Sequence, residues 1–172
     1  MNKMAMWMRA TLLVCGILGA LLSAPAFPHD TPSVEDRLEI QDLISRYGRN
    51  YDDRQAEAWT ALFTEDAPLT LFILDKLARE IKSNDERRAW ARSRFETFEK
   101  DGVIKTRHFQ TNTLLRVVED GVVEGVTVFL VTYQYAAETT PRVVHTGEYR
   151  DRFVKTTAGW RFAKREIGID HK

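Results

Sequence analysis

The spacing of apolar residues changes once, near the middle of the chain, and this restricts the fold more than any other feature. In the first half Leu38, Ile40, Leu43, Ile44, Tyr47 and Tyr51 recur at helical spacing behind a capping pair, Ser33 and Asp36. That pattern predicts a first helix of roughly 18 residues. Ala58, Trp59, Leu62 and Phe63 suggest a short second helix, ended before Pro68 because proline steers the preceding residue away from helical geometry. Residues 69–74 form an apolar run of strand length. Ser83 and Glu86 open a charged third helix whose buried stripe would be Trp90, Ala91, Phe95 and Phe98. After it the pattern becomes β-rich, with runs at residues 104–118, 122–135, 142–155 and 160–169 separated by turn-forming stretches. Helices first and long antiparallel strands afterwards imply one α+β domain, a curved sheet covered on one face by helices.

Composition narrows the function. The 172 residues carry 25 basic and 25 acidic side chains and a single cysteine, Cys15. Such totals argue against nucleic-acid binding by bulk positive charge, a disulfide scaffold and a thiolate metal site. The N-terminus stands apart: Lys3 and Arg9 precede the apolar run 10–22, which ends in the small-residue triplet Ala24-Pro25-Ala26. A run this short does not make a stable membrane anchor, and the arrangement reads as a secretory signal peptide cleaved near Ala26. The expected layout is a signal peptide at 1–26, a flexible lead-in at 27–32 and the folded domain at 33–172, with a periplasmic or secreted location. Cleavage would leave 146 residues without cysteine and a net charge of −2.

A curved sheet against helices encloses a pocket, so the inward-facing polar residues matter most. Of four histidines, His29 and His171 lie in the tails, leaving His108 and His145 on strands. Along residues 143–153 the even positions are mainly polar, which turns His145, Tyr149 and Phe153 inward. His108 shares a face with Gln110 and Asn112, although either face of that strand is a candidate for the covered one. Histidine is the usual general acid or base near neutral pH, and two on one curved sheet can reach a common pocket. Asp52 closes the first helix, where the helix dipole disfavours an acid, so orienting a histidine is one reason for its presence. Tyr47 and Tyr51 share a helix face, and each hydroxyl needs a partner when buried. The arginines at 87, 88, 92 and 94 alternate with Glu86 and Glu96 and read as a solvated helix face.

These residues carry a resemblance. Ile40-Gln41-Asp42-Leu43, Arg46-Tyr47, Asp52 and the stretch from Ala58 to Ala67 resemble the opening of SnoaL-like domains in the nuclear-transport-factor-2-like superfamily. Arg107-His108-Phe109 with Asn112, and Gly147 to Asp151 through Gly159-Trp160-Arg161-Phe162, are similar to its later strands. Tyr51-Asp52, Leu74-Asp75-Lys76-Leu77, His108-Phe109 and His145 resemble motifs of scytalone dehydratases in the same order. The resemblance implies a cone-shaped α+β barrel enclosing a pocket that works without cofactor or metal. It implies that Asp52 orients His108 as the base while His145 and Tyr51 assist the leaving hydroxyl, with Tyr47 as a weaker candidate for polarising an oxygen. Asn112, Tyr149, Phe153 and Trp59 are the candidate substrate contacts. Homodimers or homotrimers are likewise implied by resemblance alone. Two relatives fit less well. Where a ketosteroid isomerase carries its base this chain has Pro68-Leu69-Thr70-Leu71, and the Asp-Arg-Asp set of limonene epoxide hydrolases has no assignable counterpart.

The resulting expectation is an exported, cofactor-independent lyase that eliminates water from a small, largely apolar cyclic or polyketide-like molecule. The competing class is a non-catalytic periplasmic binding protein, followed by an isomerase or hydrolase of the same fold. Phosphate-loop, HExxH and nucleophile-elbow motifs are absent from the sequence, so nucleotide, zinc-protease and serine-hydrolase chemistry has no support.

Overall fold

A computed structural model describes residues 31–171. The signal-peptide reading, most of the lead-in and His29 lie outside the described residues. The chain runs α1 (Val34–Asp52), α2 (Ala56–Thr60), β1 (Leu69–Ile73), β2 (Lys76–Ile81), α3 (Asn84–Lys100), β3 (Val103–Glu119), β4 (Val122–Tyr135), β5 (Arg142–Thr156) and β6 (Gly159–Ile169).

Both predicted capping pairs form. Ser33 Oγ accepts the Asp36 N–H at 3.1 Å and Ser83 Oγ the Glu86 N–H at 3.2 Å. Asp36 also accepts from Lys155 Nζ at 2.7 Å and Trp160 Nε1 at 3.0 Å, which fastens the start of α1 to the β5–β6 hairpin. Ile40, Leu43, Ile44, Tyr47 and Tyr51 form the buried stripe, while Leu38 lies off it and is exposed. The second helix is shorter than its apolar spacing suggests. The backbone of residues 62–64 pairs with β6 instead, Phe162 N–H donating to Leu62 O at 3.0 Å and Thr64 N–H to Phe162 O at 2.9 Å. Along α3, Ala91, Phe95 and Phe98 are buried as expected, but Trp90 is only half-buried and Arg87 is fully buried.

The six strands form one sheet in the order β2-β1-β6-β5-β4-β3. Neighbours are antiparallel except β1 and β6, which are parallel because β1 enters the sheet from the helical layer rather than from a hairpin with β6. Strand β2 is absent from the sequence reading. It pairs with β1 across Leu74 and Asp75, whose φ angles of 48° and 60° are those of a tight hairpin turn usually marked by asparagine or glycine. The sheet is curved but open: β2 and β3 are its edges, so the expected barrel does not close. α1 packs on β3 and β6, and α3 packs on β3, covering one face.

The core between these layers is strongly aromatic, with Trp59, Phe153 and Phe162 fully buried among Tyr47, Phe63 and Tyr149. Among the described residues no helix is long and apolar enough to cross a membrane.

Candidate active site

The side chains of β3 settle which of its faces is covered. Thr106, His108 and Gln110 turn toward the helices, Gln110 donating to Ile44 O at 2.9 Å, while Phe109 is exposed. This places His108 against the last turn of α1, where Asp52 waits. The Asp52 carboxylate lies 2.7 Å from His108 Nδ1 and accepts the His108 backbone N–H at 2.9 Å and the Thr106 hydroxyl at 2.8 Å. Arg54, in left-handed conformation just past α1, donates to that hydroxyl at 3.1 Å. Both members of the pair are nearly buried, His108 at 9% and Asp52 at 4% side-chain exposure. Burial alone would raise the Asp52 pKa, but its hydrogen bonds and the neighbouring imidazole outweigh that and hold it below the ordinary carboxylate value. An ionised Asp52 needs a donor, so it fixes the neutral imidazole with its proton on Nδ1 and leaves Nε2 as a base.

His108 borders a cavity of about 330 Å³ between the sheet and the helices, lined also by Tyr47, Tyr51, His145 and Tyr149. His145 reaches it by the same alternation along β5 that turns Tyr149 inward, while a bulge at Val144, between the pairs Val131–His145 and Thr132–Val143, leaves Val143 exposed. Its Nδ1 is buried and has no hydrogen-bond partner among the described residues, and its ring stacks on His171 at 5.8 Å. Burial, with lesser contributions from His171, Arg94 and His108, lowers its pKa, so the ring is neutral at neutral pH. Burial pushes the phenol pKa values of Tyr47, Tyr51, Tyr133 and Tyr149 upward, against partial opposition from Arg165 or Arg94. All four therefore present neutral hydroxyls, which donate hydrogen bonds.

The cavity thus gathers His108, His145, Tyr47, Tyr51 and Tyr149, with Asp52 held behind His108. It does not gather three of the expected substrate contacts. Asn112 sits on an exposed β3 bulge with φ 53° and borders a separate polar groove on the far side of His108. Phe153 is sealed in the core against Phe162, 5.2 Å between ring centroids. Trp59 is fully buried behind Tyr47 and Tyr51, 5.4 Å from each ring, and supports them from outside the cavity.

Sequence reasoning also missed residues that line it. Arg94 lies four residues after Trp90, one helical turn on, and that spacing places it with Trp90 on the cavity wall rather than on a solvated face. Tyr133 continues the alternation of Phe129 and Val131 on β4. Beneath the cavity a fully buried ion pair joins Arg165 to Asp151 through two bonds of 2.7 Å. Its guanidinium stacks on Tyr47 at 3.9 Å and Tyr149 at 4.1 Å and so fixes both cavity tyrosines. Arg87, from the supposed solvated face, donates to the Ala67 carbonyl and stacks on Phe63 at 4.2 Å. Among the described residues no group of three or more His, Cys, Asp or Glu is placed to hold a metal ion.

Fold and site together define a helix-covered curved-sheet domain with a small-molecule chamber. Residues 32–166 match the SnoaL-like domain family, and the chain belongs to it. A protein of unknown function from Mycobacterium tuberculosis is 28% identical with a TM-score of 0.68, the match covering 79% of this chain and 72% of that one. A nuclear-transport-factor-2-like protein of cystatin-like fold from Novosphingobium aromaticivorans is 26% identical at a TM-score of 0.65, over 78% and 82% of the two chains. A candidate scytalone dehydratase from the same organism shares the fold at 20% identity and a TM-score of 0.65, covering 80% and 88%. No functionally curated protein matches the chain.

Proposed function

We propose that this protein is a cofactor-independent lyase that removes water from a small, largely apolar cyclic or polyketide-like substrate. The observation that carries the reading is the 2.7 Å contact between Asp52 and His108 Nδ1 at the wall of the chamber. A carboxylate that fixes an imidazole tautomer is a general way to build a base. His108 Nε2 takes a proton from the carbon next to a carbonyl or ring. Tyr51 and His145 hydrogen-bond the hydroxyl on the neighbouring carbon, and the proton held on His108 returns through them as that C–O bond breaks and water leaves. Tyr47 donates to the oxygen on which charge develops. The likeness to a candidate scytalone dehydratase lends support at the level of fold.

The test is a screen of hydroxylated aromatic and cyclic ketone compounds with the wild type, His108→Ala and Asp52→Asn. Turnover by the wild type that falls at least about a hundredfold in both variants supports the base pair. Variants that keep wild-type turnover would overturn it, and ligands that raise thermal stability equally in all three without turnover would favour a binding protein instead.

The same reading includes export and self-association. Secretion by a bacterial host is expected to yield a chain beginning at Phe27, and light scattering a particle of two or three copies. An intact N-terminus or a monomer refutes the corresponding part.

A further inference from the structure

Two cations on the chamber wall have no task in the elimination itself. Arg79 comes from β2 and Arg94 from α3, and both border the chamber that holds His108 and His145. Together with Trp90 they also border an adjoining groove between β2 and α3. Side chains shared by two cavities stand in the wall between them, so two guanidinium groups and an indole divide the chamber from this groove.

Among the described residues no salt bridge includes Arg79 or Arg94. The carboxylates of the outer groove are engaged elsewhere, Glu80 with Lys82 Nζ at 3.1 Å and Glu86 with the Lys82 backbone N–H at 2.9 Å. Among the described residues no acidic side chain lines the chamber, and the acid nearest to it, Asp52, is spent on His108. Arg94 has neutral company: it lies over the Phe98 ring at 5.0 Å and faces the hydroxyls of Tyr51 and Tyr133. A half-buried cation among aromatic groups favours an anion entering beside it.

We propose that the substrate of this chamber carries a carboxylate, held by Arg94 with Arg79 beside it, while its ring extends inward toward His108. The inference rests on the reading of this chamber as the substrate site and adds a substrate class to it. A planar carboxylate suits the guanidinium fork, which can hold it through two hydrogen bonds. A phosphate fits less well, because its second charge would have to be desolvated against a mainly apolar lining.

Cinnamate and cinnamamide share size and shape and differ in charge, which makes them suitable probes in calorimetric titration. Wild-type protein is expected to bind cinnamate at least about tenfold more tightly than cinnamamide, a difference of about 1.4 kcal/mol. Added salt is expected to weaken cinnamate alone. Arg94→Gln and Arg79→Gln, checked for folding by circular dichroism, should each reduce the preference, and the double variant should abolish it. The preference should persist in His108→Ala, because that variant removes the base and leaves the arginines; loss of turnover there and loss of preference here are thus read separately. Equal binding of the two probes by wild type, no cinnamate binding up to about 1 mM, or a preference unchanged in the double variant would overturn the proposal.

Discussion

At the residue scale the account turns on Asp52. Replacing it with asparagine keeps the shape but removes the charge that fixes the His108 tautomer, so kcat is expected to fall between about a hundredfold and ten-thousandfold with the fold intact. Steady-state kinetics on a substrate from the screen, with circular dichroism as control, checks this. The depressed pKa values of Asp52 and His145 also set a pH dependence of stability. Their ordinary values are 3.8 and 6.5, and both folded values lie lower. Between folded and ordinary value the unfolded chain binds more protons, so both groups make stability rise with pH. Stability is therefore expected to decline as pH falls from 6.5 toward the folded value of His145, and again as it falls below 3.8 toward that of Asp52. In urea melts against pH, His145→Gln should flatten the upper decline only. Much of this site was legible in the sequence because histidines are scarce and an acid at the end of a helix is unfavourable without a partner. Asn112, Phe153 and Trp59 were misplaced because a residue on the correct face of a strand or helix can still sit beyond the chamber or behind its wall.

At the scale of elements, bulges decide which residues meet. Between Phe162 and Lys164 the pairing of β6 with β5 shifts, with Phe162 opposite Phe153 and Lys164 opposite Arg152, so Ala163 is extra. The shift reverses the parity of the strand and sends Arg165 inward beside Asp151. A period-two reading of the sequence cannot anticipate that reversal, which is why this ion pair went unseen. The hidden hairpin of β1 and β2 has a related cause, since Leu74 and Asp75 lack the residues that normally announce such a turn. Gly147 shows how tight the strands become beside the chamber: a Cβ there would come within 1.8 Å of the Gly168 carbonyl oxygen. Gly147→Ala must part β5 from β6, and a loss of roughly 2–4 kcal/mol is expected in denaturant titration. A change below about 0.5 kcal/mol would mean that the strands separate freely here.

For the molecule as a whole, the helices and the four long strands were readable because helical spacing holds along the helices and the β-rich runs are bounded by turn-forming stretches. Closure of the sheet was not, since it depends on edge pairing that no local pattern encodes. The Asp151–Arg165 pair is fully buried between β5 and β6, and its guanidinium meets the helical layer through Tyr47 of α1 as well as stacking on Tyr149. Removing one charge leaves the other buried without a partner, so Arg165→Met is expected to cost about 3–5 kcal/mol. Arg165→Met combined with Asp151→Leu should cost less than the sum of the two single changes, as a double-mutant cycle would show. Additive losses would mean that the pair does not act as a unit. The chamber therefore has a buried ion pair beneath it and two cations in its wall, with its base held between the first helix and the edge strand of the sheet.

The most direct measurement of the central claim needs no substrate. In nitrogen-15 correlation spectra of the imidazoles at about pH 8, where an ordinary histidine is neutral, His108 is expected to carry its proton on Nδ1 and to lose that preference in Asp52→Asn. A neutral His108 protonated on Nε2 in the wild type would place no base in the chamber and would contradict the account.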